Sequence, residues 1–285
     1  MPMKEVEKRL TTTLPRALTI AGSDSGGGAG LQADLKVFTV LGVYGMSAVT
    51  SVTAQNTTGV HGIYNLSPEA VGAQIDAVVG DIGVDALKTG MLATPELVQT
   101  VARKIAEHRL ERLVVDPVMV AKGGAALLAA SARETVRDLL LPLALVVTPN
   151  IPEAEVLAGM EIKDLAGMKE AARRVRQLGA RTVVIKGGHL AAAQEDRVVD
   201  VFYDGRSFSE LSGPRWRTKN THGTGCSFAA AITAELAKGA DVADAVRRAR
   251  RFISGAIEHS LELGSGHGPT NPWAGARALR ASEEG

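Results

Sequence analysis

Residues 16–22, RALTIAG, and residues 29–42, AGLQADLKVFTVLG, decide the fold class of this 285-residue chain. The first stretch is short and apolar, as expected of a buried strand. The second has helical periodicity, and its apolar side chains on one face are Leu31, Leu35, Phe38 and Leu41. A strand that leads directly into an amphipathic helix is the first half of a βαβ unit.

The same alternation continues along the chain. Apolar runs with strand character cover residues 46–55, 85–90, 111–118, 143–150 and 181–188. Segments of helical period lie between them, at 68–80, 95–109, 131–141, 152–159 and 164–179. Continuous Val- and Ile-rich strands covered by crossover helices predict an α/β fold with a doubly wound, mainly parallel sheet and right-handed connections.

From about residue 196 the pattern changes. The segments RVVDVFYDG and RSFSEL predict a hairpin that turns at Asp204-Gly205. Two long helices, about 224–238 and 241–261, are expected to end the fold. Because no internal repeat and no Ser/Gly-rich linker interrupts the chain, we predict a single domain over residues 15–285, preceded by an N-terminal extension, residues 1–14.

Composition and charge exclude several classes of protein. Thirty-two basic and thirty-one acidic residues leave a net charge of +1, too little to recruit nucleic acid or an anionic membrane. The basic run RRARR at 247–251 is interpreted as a solvated helix face. One cysteine excludes an internal disulfide and a multi-cysteine zinc site. With no signal-peptide core and no membrane-spanning run, we expect a cytoplasmic protein without nucleic-acid or membrane partners.

Polar, glycine-rich segments follow each predicted strand. They are GSDSGGGAG (22–30), AQNTTG (54–59), KTGM (88–91), DPVM (116–119), TPNIPEAE (148–155) and KGGH (186–189). Ligands of doubly wound sheets bind at the carboxyl ends of the strands. The sequence therefore predicts a binding site at this edge of the sheet.

Three common motifs do not explain this edge. The segment GAGLQA (28–33) fits G-x-G-x-x-A, but a Rossmann site also needs an acidic residue about twenty positions later to hold the ribose. No Asp or Glu occurs between Asp34 and Glu69, which excludes a Rossmann oxidoreductase. No Gly-Lys dipeptide occurs, which excludes a Walker A loop. The KTG at 88–90 lacks the Ser-x-x-Lys of penicillin-binding enzymes.

The segment NTHGTGC (220–226) precedes an apolar helical run and contains the only cysteine. Gly223, Thr224 and Gly225 can turn their backbone N–H groups inward at a helix N-terminus, which makes an anion hole. Cys226 would lie in the first turn, where the helix dipole favours a thiolate and lowers its pKa. The alternative is a small buried residue in a packed helix. The glycine context favours a functional thiol.

Together these segments resemble one family. The segments LTIAGSDSGGGAGLQADLK, AVTSVTAQNTTGV, ALKTGML, VVDPVM, TPNIPEAE, VIKGGH and NTHGTGC have the order and spacing of hydroxymethylpyrimidine/phosphomethylpyrimidine kinases of the ribokinase-like superfamily. The resemblance runs from about Leu18 to Gly268. The first loop departs from the family's Asp-Pro-Ser-Gly-Gly, since it reads Asp24-Ser25-Gly26-Gly27, but it loses no expected ligand group.

The resemblance implies a three-layer αβα ribokinase-like fold and an ATP- and Mg²⁺-dependent kinase of thiamine biosynthesis. Its substrates would be 4-amino-5-hydroxymethyl-2-methylpyrimidine and then the monophosphate, which becomes the diphosphate. A homodimer stays open. Two alternatives remain: a pyridoxal kinase, and a non-catalytic ligand-binding protein on the same fold. A non-catalytic protein would be expected to have lost an anion-hole glycine or a carboxylate of the site. This sequence retains both.

The resemblance also assigns roles at the phosphate end. Asp116 and Glu153 would hold Mg²⁺, partly through water. Asn150 and Glu153 match the superfamily's Asn-x-x-Glu, although Glu153 could simply be an acidic residue at a helix N-terminus. Lys186 resembles the family's nucleotide-contacting lysine, although a snorkelling side chain is an alternative.

For the pyrimidine, the family pattern indicates Asp34, Gln55, Met91 and Val118. An Asp and an amide can pair with a ring amine and ring nitrogens, and the other two supply apolar contacts. Asp34 could instead be an exposed helix residue. Sugar kinases of the superfamily usually have an Asp base at the position of Cys226, so the cysteine favours hydroxymethyl heteroaromatic substrates.

Overall fold

A nine-stranded sheet forms the centre of the computed structural model, which describes residues 14–119, 130–190 and 196–284. The strands are β1 (Arg16–Asp24), β2 (Tyr44–Asn56), β3 (Gly59–Asn65), β4 (Ala86–Thr89), β5 (Leu113–Val115), β6 (Val146–Val147), β7 (Thr182–Ile185), β8 (Arg197–Tyr203) and β9 (Phe208–Pro214). Their order is β3-β2-β1-β4-β5-β6-β7-β8-β9. The strands from β2 to β7 in this order are parallel, and β3, β8 and β9 are antiparallel additions at the edges.

Helices cover both faces of the sheet. They are α1 (Gly30–Val40), α2 (Pro68–Asp81), α3 (Pro95–Glu107), α4 (Ala130–Thr135), α5 (Ile151–Ala158), α6 (Leu165–Gln177), α7 (Thr224–Ala237), α8 (Val242–Glu258) and α9 (Pro272–Glu284). Helices α2 to α6 contribute to one apolar core, and α1, α7, α8 and α9 contribute to a second core on the other face. The predicted three-layer αβα architecture is confirmed.

The strand order reverses beside β1. This strand pairs with β2 on one side and with β4 on the other, both in parallel. The helix after β1 packs on one face of the sheet, and the helix that leads into β4 packs on the other. Such a reversal opens a crevice at the carboxyl ends of the strands. The loops after β1 and β4 therefore border the place where a ligand is expected.

Helix caps distinguish two helices from the others. Helices α2, α3, α6 and α8 begin at side chains that accept a backbone N–H of the first turn, namely Ser67, Thr94, Asp164 and Asp241. Helices α1 and α7 have no side-chain cap. Their first N–H groups are thus left for another partner.

Most predicted elements are confirmed, and the differences have physical causes. The hairpin turns where expected, since Asp204 Oδ1 accepts the N–H groups of Arg206 and Ser207, both at 2.6 Å. Strand β3 was not predicted, because an exposed edge strand carries no continuous apolar run. The predicted helix at 131–141 is α-helical only to Thr135 and then changes to a π turn and a 3₁₀ turn around Pro142.

Two expectations for the C-terminal part are wrong. The two predicted helices do not end the fold, because α9 follows them and packs on α8. The RRARR face is not wholly solvated, because Arg250 is buried and its Nε lies 3.0 Å from Asp200 Oδ2. Residues 1–13 lie outside the described residues, and the single domain stays a prediction. Among the described helices, none has the length and apolar character needed to cross a membrane.

Candidate active site

One cleft of about 710 Å³ lies at the carboxyl ends of the parallel strands. All but one of the predicted site residues line it. They are Gln55, Met91, Asp116, Val118, Asn150, Glu153, Lys186, Gly223, Thr224, Gly225 and Cys226. Residues far apart in sequence thus share one cavity, as expected of the reversal in strand order. Their individual roles stay predictions.

The N-terminus of α7 forms one wall of the cleft. Gly223 precedes the helix with φ +76°, and a Cβ there would collide with the carbonyl oxygen of Gly28, so only glycine fits. The hydroxyl of Thr224 donates to the carbonyl of Thr221 at 2.7 Å and does not cap the helix. The Thr224 N–H donates to the same carbonyl at 3.3 Å, so the first turn offers the N–H groups of Gly225 and Cys226 to an anion in the cleft.

A buried charge cluster lies opposite this turn. Lys186 Nζ is 3.0 Å from Asp116 Oδ1, and Thr148 donates to the same oxygen at 3.3 Å. A Cβ on Gly225 would lie 3.3 Å from Lys186 Nζ and 3.6 Å from Asp116 Oδ2. Burial opposes the lysine's charge, but Asp116 and Glu153 outweigh it and raise the pKa of Lys186. A permanent cation therefore faces the anion hole.

Glu153 caps a helix and also belongs to the buried charge cluster. It forms a capping box with Asn150: its Oε2 accepts the Asn150 N–H at 2.8 Å, and Asn150 Oδ1 accepts the Glu153 N–H at 2.9 Å. Glu153 is also buried in the cleft wall, and burial raises its pKa to about 7, although Lys186 opposes this rise. It is thus both a helix-terminal acid and part of the charge cluster. The side-chain oxygen of Asn150 is engaged in the cap.

The carboxylates of Asp116 and Glu153 fit a magnesium site. Asp116 Oδ2 is buried and has no hydrogen-bond partner. Within the described residues no group of three or more His, Cys, Asp or Glu side chains could hold a metal. Mg²⁺ is commonly held by one or two carboxylates, with water and phosphate oxygens completing its shell. A bound Mg²⁺ would give the orphaned oxygen of Asp116 its missing partner.

The other end of the cleft is suited to a small ring. Gln55 Oε1 lies 3.1 Å from Thr53 Oγ1, and the amide nitrogen lies 3.5 Å from His222 Nε2, which leaves at least one amide N–H for another acceptor. Met91 is buried with 8% exposure and Val118 is half-buried, and both line the cleft. This combination of one oriented donor and apolar walls suits a flat heteroaromatic ligand.

Asp34 does not line the cleft with the others. It is fully buried, with its Oδ2 2.8 Å from Lys88 Nζ and 2.7 Å from Thr19 Oγ1. The alternative of an exposed helix residue is therefore wrong. Contact with the ring is also not available in this structure, because Lys88 and Thr19 hold the carboxylate beneath the cleft floor.

The expectation of a lowered thiol pKa at Cys226 is wrong for the ligand-free protein. Burial, together with the carboxylates of Asp34 and Asp116, raises the pKa of Cys226 to about 12. Lys88 and the N–H of Gly30 act in the opposite direction. The helix dipole alone predicts a thiolate, but desolvation and the two carboxylates outweigh it.

Comparison with known proteins agrees with this geometry. A family model described as phosphomethylpyrimidine kinase matches residues 24–271. The chain belongs to the phosphomethylpyrimidine kinase family.

Relatives and solved structures extend this family assignment. The chain is 52% identical over 259 residues to a hydroxymethylpyrimidine/phosphomethylpyrimidine kinase of Bacillus subtilis, covering 91% of this chain and 95% of the relative. It is similar to the ADP complex of a Bacillus subtilis pyridoxal kinase, with a TM-score of 0.85, 43% identity, and 94% and 100% coverage of the two chains. A phosphomethylpyrimidine kinase structure from Clostridium difficile matches with a TM-score of 0.76, 40% identity, and 86% and 100% coverage.

Sequence reasoning missed three polar residues in this member of the phosphomethylpyrimidine kinase family. Asp24 accepts the N–H groups of Gly28 and Ala29 and lies 2.9 Å from His222 Nε2. Burial opposes its charge, but these hydrogen bonds prevail and lower the pKa of Asp24. The third is Lys88. A charged residue inside the apolar run DALKTG, which needs a buried partner, was the available signal.

Proposed function

We propose that this protein transfers a phosphoryl group from ATP to 4-amino-5-hydroxymethyl-2-methylpyrimidine, and then a second one to the resulting monophosphate. One observation carries the proposal: Cys226 lies at the uncapped N-terminus of α7, between the charge cluster and the ring-binding end of the cleft. An acceptor alcohol and a terminal phosphate would meet at this position. The identity to named kinases of this pyrimidine supports the same substrate.

The first transfer needs a proton acceptor. The Cys226 thiol must first release its own proton to solvent, because its pKa is raised in the ligand-free protein. The hydroxyl of the pyrimidine alcohol then loses its proton to the Cys226 thiolate while its oxygen bonds to the γ-phosphorus of ATP. The bond from that phosphorus to the β–γ bridging oxygen breaks, and ADP leaves. The second acceptor is a phosphate that is already largely ionised, so this step has much less need of a base.

Charge neutralisation is the larger demand in phosphoryl transfer. The N–H groups at the start of α7 and the ammonium of Lys186 face the same space and would hold the transferring group. Asp116 and Glu153 would hold Mg²⁺, which would neutralise phosphate oxygens when bound. Gly225 keeps this space open because its missing Cβ would point at both Lys186 and Asp116.

The ring end supplies recognition. The Gln55 amide lies between Thr53 and His222, and its remaining N–H would donate to a ring nitrogen of the pyrimidine. Met91 and Val118 would contact the ring faces. A cytoplasmic location and the absence of nucleic-acid and membrane partners are finer predictions that accompany this proposal, and a homodimer stays an open possibility.

A pyridoxal kinase is the second candidate, because the fold is similar to a pyridoxal kinase structure and pyridoxal also carries a ring hydroxymethyl group. The two are separated by measuring kcat/KM for the pyrimidine alcohol, its monophosphate and pyridoxal with ATP. We expect both pyrimidines to be phosphorylated with higher kcat/KM than pyridoxal. A higher value for pyridoxal would overturn the substrate assignment.

A further inference from the structure

A buried ion pair lies beneath the cleft floor and has no part in the chemistry described so far. Lys88 of β4 and Asp34 of α1 are both fully buried, and Lys88 Nζ lies 2.8 Å from Asp34 Oδ2. The ammonium has three N–H donors, and within the described residues Asp34 is its hydrogen-bond partner. Asp34 Oδ1 is buried without a partner.

The ammonium is directed toward the site. Lys88 borders the cleft together with Cys226, and a Cβ on Gly90 would lie 3.4 Å from Lys88 Nζ, so the side chain reaches toward the strand end. Gly30, the first residue of α1, lines the cleft together with Cys226, and its N–H acts to lower the pKa of the thiol. Gly30 has φ +57°, and a Cβ there would collide with the carbonyl of Gly22. The backbone is thus held in a form that brings α1 to the thiol.

Packing alone does not explain this pair. Two buried charges carry a large desolvation cost, and apolar side chains of similar volume commonly replace such a pair without loss of stability. This pair is also incompletely satisfied, since one carboxylate oxygen and two ammonium N–H groups have no partner within the described residues. The ion pair therefore places the fixed positive charge of Lys88 in the wall of the cleft that also contains Cys226.

We propose that Lys88 is a positioning residue whose buried cation stabilises the Cys226 thiolate that receives the proton of the acceptor alcohol, with Asp34 limiting this effect. The inference rests on the proposed function. The proton moves from the alcohol oxygen to Sγ as the new oxygen–phosphorus bond forms, and no oxidant or reductant is needed. The charged groups that act on Cys226 are the cations Lys88 and Lys186 and the carboxylates Asp34 and Asp116.

The test uses the fact that Cys226 is the only cysteine of the chain. The rate of its alkylation by iodoacetamide is measured from pH 7 to pH 10, without nucleotide, in the wild type and in the variants Lys88→Met and Asp34→Asn. Each substitution breaks the same ion pair but changes the charge in the opposite direction. At pH 9 we expect Lys88→Met to react at least about three times more slowly, and Asp34→Asn at least about three times faster.

This opposition separates electrostatics from structure. If the pair only supports packing, both substitutions loosen the same region and change the alkylation rate in the same direction. Equal or same-direction changes would therefore overturn the proposal. The thermal unfolding of each variant is measured together with its alkylation rate.

If Lys88→Met does not fold, the double variant Asp34→Asn/Lys88→Met takes its place, because a neutral pair of similar volume avoids an unpaired buried charge. It should alkylate more slowly than Asp34→Asn alone, since the two differ only by the Lys88 cation. An equal rate would overturn the proposal.

Kinase activity supplies an independent readout. Lys88→Met should lower kcat of the first phosphorylation at least about tenfold and shift the midpoint of its pH–rate profile to higher pH. The kcat of the second phosphorylation should change much less. Equal losses in both steps would contradict a role through Cys226. If the wild-type protein phosphorylates neither pyrimidine, the proposed function fails, while the alkylation rates still report on the Lys88 charge.

Discussion

Replacing Glu153 by Gln should remove a pH-dependent loss of stability from the ligand-free protein while it impairs catalysis. Burial raises the pKa of Glu153 from 4.5 to about 7, so the folded state binds this proton more tightly than the unfolded chain. Its contribution to stability is complete below pH 4.5 and is lost as the pH rises through 7. At about 1.4 kcal/mol per pKa unit, the wild type loses about 2.5 kcal/mol between pH 5 and pH 8 from this group.

Gln keeps the capping box but does not titrate. The melting temperature of Glu153→Gln minus that of the wild type should therefore be roughly 5 °C larger at pH 8 than at pH 5. Differential scanning calorimetry without Mg²⁺ or nucleotide measures both values. The same variant should lose about one to two orders of magnitude in Mg²⁺-dependent turnover, about 1.4 to 2.7 kcal/mol. A melting difference that is independent of pH, or unchanged rates across a Mg²⁺ titration, would refute this reasoning.

Three further substitutions test other parts of the cleft. Cys226→Ala should slow the first phosphorylation about a hundredfold and the second much less, because only the alcohol must lose a proton; full activity on the alcohol would reduce Cys226 to a packing residue. Gly225→Val should impair both steps, since its side chain would enter the space facing Lys186 and Asp116, and a loss confined to one step in separate steady-state assays would contradict a shared anion hole. Gln55→Leu should lower kcat/KM for the pyrimidine by about 1 to 3 kcal/mol through an unpaired ring nitrogen, and unchanged kcat/KM would remove the amide from recognition.

The fold was predictable because its signal is local. Short apolar strands alternate with amphipathic helices, and each strand ends in a polar, glycine-rich loop, so strand order and the edge of the site follow from general rules. Strand β3 and helix α9 were missed for different reasons. None of the residues of β3 is buried, so no apolar run marks this strand. Helix α9 does carry a helical signal, since Ala276 and Leu279 are buried at a spacing of three, and the prediction ended the fold too early.

The sequence predicted which residues line the cleft, but it did not predict their charge states. The polar residues at the strand ends share the cleft, as expected. The sign of the Cys226 pKa shift depends first on burial and then on Asp34 and Asp116, which lie far from it in sequence and act only through the tertiary structure. Asp34 was expected to contact the ring, and its buried partner Lys88 was not considered. A pattern of residue types therefore locates a site more reliably than it assigns charge states within it.

Time-resolved ³¹P NMR of the protein with ATP, Mg²⁺ and the pyrimidine alcohol follows both proposed phosphorylations in one reaction. We expect a phosphate monoester signal to appear first and then to be replaced by a diphosphate signal, as ADP accumulates in proportion. A parallel reaction in which pyridoxal competes at equal concentration should leave this sequence intact. Persistence of the alcohol with ATP unchanged, or phosphorylation of pyridoxal alone, would contradict it.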